Sequence, residues 1–115
     1  MMTLSDKQIL FAQKLGLLLI EASRQNIPVK ITELYRTLER QKLLVAKKLS
    51  KTLFSKHLKG LAADLAIIKD GQYIINIEGY RPLGEYWESL GNTTWGGNWN
   101  TLKDGVHFEL DETNL

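Results

Sequence analysis

The sequence predicts an α+β domain in which helices pack on a small, mostly antiparallel sheet. Apolar residues recur at helical spacing in some segments and alternate with period two in others. These segments follow one another as helix, strand, helix, hairpin, helix, strand. A chain of 115 residues, 43% hydrophobic and 24% charged with both signs interspersed, has the size and composition of one globular domain over residues 1–115.

Ser5 and Gln8 form a capping-box pattern. Behind it Ile9, Leu10, Leu15, Leu17, Leu18, Ile20 and Ala22 keep mainly helical spacing, which predicts a helix over 6–25 ended by Asn26 and Pro28. Residues 29–35 are rich in β-branched and aromatic side chains and predict a strand with Arg36 at its end. Leu38, Leu43, Leu44, Ala46 and Leu49 return to helical spacing and predict a helix over 37–51, running into a loop near Thr52. Residues 62–68 are apolar except for Asp64, and Lys69-Asp70-Gly71 turns them into 72–76, a hairpin pattern. A short helix over 82–90, a loop rich in glycine and tryptophan over 91–100, and a strand over 106–110 complete the chain.

The absence of cysteine excludes disulfides, thiolate metal ligands and a cysteine nucleophile, so any metal must be held by His, Asp or Glu. Asp6 and Lys7 precede the apolar run and no small-residue cleavage site follows it, so no signal peptide is expected. The run from Leu15 to Ile20 falls far short of the roughly 20 apolar residues of a membrane span. Net charge is only +2, yet residues 36–59 carry eight basic residues against Glu39 alone. Such a face attracts polyanions or is merely solvated. No helix-turn-helix, zinc-finger or RNA-binding signature accompanies it, so no specific nucleic-acid partner is expected.

The two histidines, His57 and His107, have the most informative surroundings. His57 lies in a loop seven residues before Asp64, a carboxylate inside an otherwise apolar strand. A buried carboxylate needs a partner, supplied either by a metal ion or by loop amides. His107 opens the last strand, where alternation puts it on one face with Glu109 and puts Val106 and Phe108 on the other. Two histidines and one carboxylate have the composition of a catalytic zinc site whose fourth position is open to water.

Ser55 to Asp64 reads Ser-x-His-x-x-Gly-x-Ala-x-Asp, and Asp104 to Glu109 reads Asp-x-x-His-Phe-Glu. With Tyr35-Arg36-Thr37 upstream, these motifs resemble the zinc peptidases that cut peptidoglycan peptides, the LAS metallopeptidases. That family includes VanY-type D,D-carboxypeptidases and the L-alanyl-D-glutamate endopeptidases of bacteriophage lysins. The resemblance spans about Thr32 to Leu110 and implies a Hedgehog/D,D-peptidase-like fold. It implies His57, Asp64 and His107 as zinc ligands, Asp104 as the base, and Arg36 as the group that stabilises the oxyanion or holds a substrate carboxylate. Many members carry Glu where this chain has Asp104, a shorter side chain with a different reach; Glu109 is the alternative base or the partner of a ligand histidine. The competing reading of Asp104 is a turn residue before Gly105.

Ser55 is expected to bond substrate or to brace the His57 loop. The Trp95-Gly-Gly-Asn-Trp99 segment resembles the endopeptidase branch, with Trp95 and Trp99 as a substrate platform or as buried aromatic area. The expected activity is zinc-dependent L-alanyl-D-glutamate cleavage in the peptidoglycan stem peptide by a monomeric, phage or prophage endolysin-like enzyme, held in the host cytoplasm until released to the wall. The alternatives are a D,D-carboxypeptidase or dipeptidase, a non-catalytic zinc-binding module, and a basic polyanion binder.

Overall fold

A computed structural model of the protein describes residues 1–49 and 55–115. The predicted loop near Thr52 and residues 50–51 of the predicted second helix lie outside the described residues; the helix itself ends earlier than predicted, at Ala46, because the chain turns left-handed at Lys48. The elements are α1 (Leu4–Arg24), β1 (Val29–Glu33), α2 (Leu38–Ala46), β2 (Ala62–Lys69), β3 (Gln72–Tyr73), α3 (Arg81–Ser89), β4 (Thr93–Trp95) and β5 (His107–Leu110). Short 3-10 turns cover Lys56–Lys59, Ile77–Tyr80 and Gly96–Asn98. The sheet order is β1-β2-β5-β4, with β3 paired to the far end of β2, and every pairing is antiparallel. This is the α+β architecture the sequence predicts.

Alternation along β2 and β5 gives the sheet two different faces. Ala63, Leu65 and Ile67 of β2, with Phe108 and Leu110 of β5, point into the core. There they meet Phe11, Leu15, Leu18 and Ala22, one stripe of α1, and Leu83 and Trp87 of α3. Ile9, Leu17 and Ile20 belong to the same helical pattern but lie outside that stripe and are exposed. Trp87 stacks edge-on against both Phe11 and Phe108, at 5.9 and 6.1 Å between ring centroids. Its indole N–H donates to the carbonyls of Thr94 and Glu109, tying α3 to β4 and β5. Asp64, His107 and Glu109 occupy the opposite face, as period two requires.

Three further details differ from the sequence expectation. The capping box of α1 is made by Thr3 and Asp6, with Asp6 N–H to Thr3 Oγ1 at 3.1 Å and Thr3 N–H to Asp6 Oδ2 at 2.9 Å. Ser5 is already helical, because a charged carboxylate at Asp6 answers the cap more strongly than an amide at Gln8. The second strand of the hairpin stops at Tyr73, since Tyr80 Oη takes over the pairing: it accepts from Ile67 N–H at 3.0 Å and donates to the Ile74 carbonyl at 2.7 Å. The turn itself is as predicted, with Asp70 and Gly71 at φ 51° and 75°, the left-handed pair of a tight hairpin. Finally, the glycine- and tryptophan-rich segment contains a strand, β4, which pairs with β5.

The tail after β5 is fastened to the front of the molecule. Glu112 accepts from Lys7 of α1 at 3.0 Å, from Lys56 at 2.7 Å and from Lys59 at 2.9 Å. Lysine hydrogen bonds push its pKa from 4.5 down to about 2, chiefly those of Lys56 and Lys59. A depressed carboxylate pKa stabilises the fold above the unfolded value and is lost as pH falls through the folded one. Glu112→Gln should therefore cost about 1 kcal/mol at neutral pH in urea titrations. The difference between variant and wild type should vanish as the pH falls from about 4.5 to about 2.

Candidate metal centre

Three local devices bring the site together. Asp64 and His107 are direct cross-strand partners in β2 and β5, so one register places both on the same face. Across β2 on its other side, β1 carries a bulge: Ile31 pairs with Leu65 and Glu33 with Asp64, leaving Thr32 extra. The bulge directs residues 33–36 over the site. His57 comes from the 3-10 turn, where Ser55 Oγ accepts from His57 N–H at 3.2 Å and the His57 carbonyl accepts from Arg36 N–H at 3.0 Å.

The two imidazoles are held in opposite tautomers. His57 Nδ1 lies 2.7 Å from the Leu34 carbonyl, which can only accept, so Nδ1 carries the proton and Nε2 points inward. His107 Nε2 lies 2.7 Å from Glu109 Oε1, which fixes that proton outward and leaves Nδ1 facing in. Asp64 Oδ1 sits 3.2 Å from His57 Nε2 and 3.3 Å from His107 Nδ1. With both rings neutral, their inward lone pairs and the Asp64 carboxylate converge on one point, where either a proton on an inward nitrogen or a metal cation must join them.

Zinc fits this donor set. Tetrahedral bonds of about 2.0–2.1 Å place neighbouring donor atoms about 3.3–3.4 Å apart. The three ligand atoms lie within 4.8 Å of one another, and both distances from Asp64 match such an edge. His57 is buried at 2% exposure and His107 at 6%, so the site is shielded from bulk water on the protein side.

Electrostatics of the protein groups point the same way. Burial acts to raise the Asp64 pKa, but hydrogen bonds from His107 and His57 outweigh it and hold the carboxyl well below its usual range. Burial acts to lower that of His107, yet bonds to Asp64 and Glu109 push it up to about 9. A proton and a metal ion compete for the same Nδ1, so zinc uptake releases a proton.

A cleft of about 680 Å³ opens onto the triad. Arg36, Ser55, Trp99, Asp104 and Glu109 all line it, together with Lys48, Lys56, Lys103 and the apolar Leu44, Leu49 and Leu102. Arg36 is nearly buried. Its Nε donates to Glu33 at 2.8 Å and its Nη1 to Gln41 at 2.8 Å, while Nη2 lies 3.9 Å from Asp64 Oδ2. Asp104 is held through its backbone, with N–H to the Gly96 carbonyl at 3.0 Å and its carbonyl accepting from His107 N–H at 3.2 Å. Burial, and next the charge of Asp64, raise its carboxyl pKa, while the N–H of Val106 opposes them.

Of the two readings open for Trp95, substrate platform or buried aromatic area, the structure gives the second: it is fully buried, which removes it from the substrate-binding residues. Its ring is wedged against Gly84 of α3 and Gly97, and its indole N–H donates to the Gly105 carbonyl at 2.7 Å. A large aromatic with both neighbours stripped to glycine gains more from burial than from solvent. Trp99 alone faces the cleft, its ring 5.0 Å from that of His107. Sequence reasoning missed Gln41, fully buried on α2, and the Leu34 carbonyl. A polar residue on the inner stripe of α2 was the available signal for Gln41; a carbonyl ligand leaves no trace in side-chain types.

A family model described as D-alanyl-D-alanine carboxypeptidase matches residues 48–110, more than half of the chain. Among solved structures, the Serratia marcescens L-Ala D-Glu endopeptidase ChiX is 34% identical, with a TM-score of 0.63, covering 73% of this chain and 67% of that one. A mutant of the vancomycin-resistance D,D-pentapeptidase VanY from a VanB-type cassette, in complex with Zn(II), is 21% identical with a TM-score of 0.61 over 90% of this chain and 71% of that one. The vancomycin-resistance D,D-dipeptidase VanXYg, bound to a D-Ala-D-Ala phosphinate analogue, shares the fold at 20% identity and a TM-score of 0.53, over 88% of this chain and 49% of that one. No curated protein sequence matches. The ligand geometry and these matches agree, and the chain belongs to the D-alanyl-D-alanine carboxypeptidase family of zinc peptidoglycan peptidases.

Proposed function

We propose that the protein is an L-alanyl-D-glutamate endopeptidase acting on the peptidoglycan stem peptide. The observation that carries this reading is the Trp95-Gly-Gly-Asn-Trp99 turn, which puts Trp99 against His107 in the cleft, together with the identity to the Serratia marcescens endopeptidase. His57, Asp64 and His107 would hold the zinc, whose Lewis acidity would serve the attacking water and the scissile carbonyl. Asp104 takes the proton of the attacking water and passes it to the leaving amine; its raised pKa suits a group that must both accept and donate. Arg36, locked by Glu33 and Gln41, offers its Nη2 edge to the oxyanion. Ser55 braces the His57 turn, and Glu109 fixes the His107 ring. Action as a monomer is part of the same proposal. An endolysin-like role at the cell wall follows from the same reading.

The test is mass spectrometry of purified peptidoglycan digested with and without a zinc chelator. New fragments beginning at D-glutamate, absent with chelator, are expected. Release of terminal D-alanine alone would instead make the protein a carboxypeptidase, the reading favoured by the description of its family. Asp104→Asn should keep zinc and fold while lowering turnover by about a hundredfold or more. Unchanged turnover would remove Asp104 from the base role and pass it to Glu109.

A further inference from the structure

The cations of the cleft are not equivalent. Arg36 is held by Glu33 and Gln41, and Lys56 by Glu112. Lys48 and Lys103 line the same cleft, are exposed, and have no ion-pair partner among the described residues. Lys103 feels Glu78 only through space, and Glu78 is already bonded to Arg81 at 2.7 Å. Lys48 follows the C-cap of α2 in the left-handed conformation that ends many helices, at φ 59°, with Leu49 N–H closing on the Leu44 carbonyl at 2.8 Å, so the helix terminus fixes its backbone at the rim of the cleft.

The geometry points to Lys103, with Lys48 in support, as the group that recognises a free carboxylate on the leaving residue of the substrate. Lys103 adjoins Asp104 in the chain and lines the same cleft, and Asp104 is the residue proposed to protonate the leaving amine, so the leaving residue is the part of the substrate this lysine is best placed to meet. A glutamate joined onward through one carboxyl leaves its other carboxyl free, and an ammonium without an internal partner binds it without first breaking an ion pair. The assignment rests on the endopeptidase reading for the identity of that residue, but a carboxylate on the leaving residue is also what a carboxypeptidase meets.

The experiment compares the zinc-loaded wild type, Lys103→Met and Lys48→Met on two L-alanyl-D-glutamyl peptides that differ only in whether the free side of the glutamate is a carboxylate or its amide. The wild type should prefer the carboxylate by about tenfold in kcat/KM, and added salt should shrink the preference. Lys103→Met should erase the preference by losing activity on the acidic peptide while keeping the amide within about twofold and the zinc content unchanged. Lys48→Met should lower the preference by a smaller factor. Equal losses on both peptides, or an intact preference in Lys103→Met, would overturn the assignment. Should the wild type cut neither peptide but release terminal D-alanine, the endopeptidase reading fails. The lysine is then judged on peptides with a free or amidated C-terminus, by the same two outcomes.

Discussion

Asp64→Ala is expected to abolish both zinc binding and hydrolysis. The variant should purify with close to no zinc per chain where the wild type carries one, and its rate on peptidoglycan should fall by about a thousandfold or more, the equivalent of several kcal/mol of lost transition-state stabilisation. Asp64 Oδ1 is the point at which both histidines converge, at 3.2 and 3.3 Å, and no other acid or histidine among the described residues joins that cluster. The fold should survive, because the core side of β2 is built from Ala63, Leu65 and Ile67 and loses nothing. Metal analysis and circular dichroism on one preparation check both halves. Retained zinc with full activity would mean that the triad is not the metal site.

Gly84→Ala is expected to be among the most destabilising single-methyl changes in the protein. A Cβ at this position would lie 2.1 Å from the buried ring of Trp95, and a Cβ on Gly97, at another edge of the same ring, would lie 2.2 Å from it. Alanine raises helix propensity by about 1 kcal/mol relative to glycine. Overpacking against a ring that cannot retreat costs about 3 kcal/mol or more, so packing wins over propensity. The net loss of about 2 kcal/mol or more corresponds to a Tm lower by about 10 °C for a domain of this size. Trp95→Leu, by opening space, should relieve part of that loss in the double variant, a non-additivity that Gly16→Ala, with nothing within 4 Å, should not show. Thermal unfolding of five variants decides it: the three single changes and the two doubles that carry Trp95→Leu.

Much of this architecture was readable before any coordinates. Helical spacing located α1 and α2, alternation located β1 and β5, and an apolar run ending at Asp70-Gly71 marked β2 and its hairpin turn, because each signal is local. The ligands were readable for the same reason: His57 and Asp64 lie in one short motif, and His107 shares its strand face with Glu109. What escaped depends on tertiary contact. Strand β4 was hidden in a glycine-rich segment because its pairing partner, β5, follows it at a distance in the chain. Trp95 and Trp99 look alike in sequence, and only the glycines facing one of them decide which is core. Gln41 and the bulge at Thr32 gain meaning only when β1 and α2 close over Asp64.

The cross-strand pairing of Asp64 with His107 has a consequence for how the chain avoids assembling wrongly. Sliding β5 by a single residue against β2 would turn His107 toward the interior and push Phe108 or Val106 out beside Asp64. The oily side and the metal side would fail together. Burial of Phe108 and Leu110 and convergence of the ligands therefore select one and the same alignment, so the apolar face already enforces the register on which zinc depends. Zinc capture then serves as a readout of correct assembly: a chain that takes up the ion has passed the proofreading step set by its own hydrophobic face.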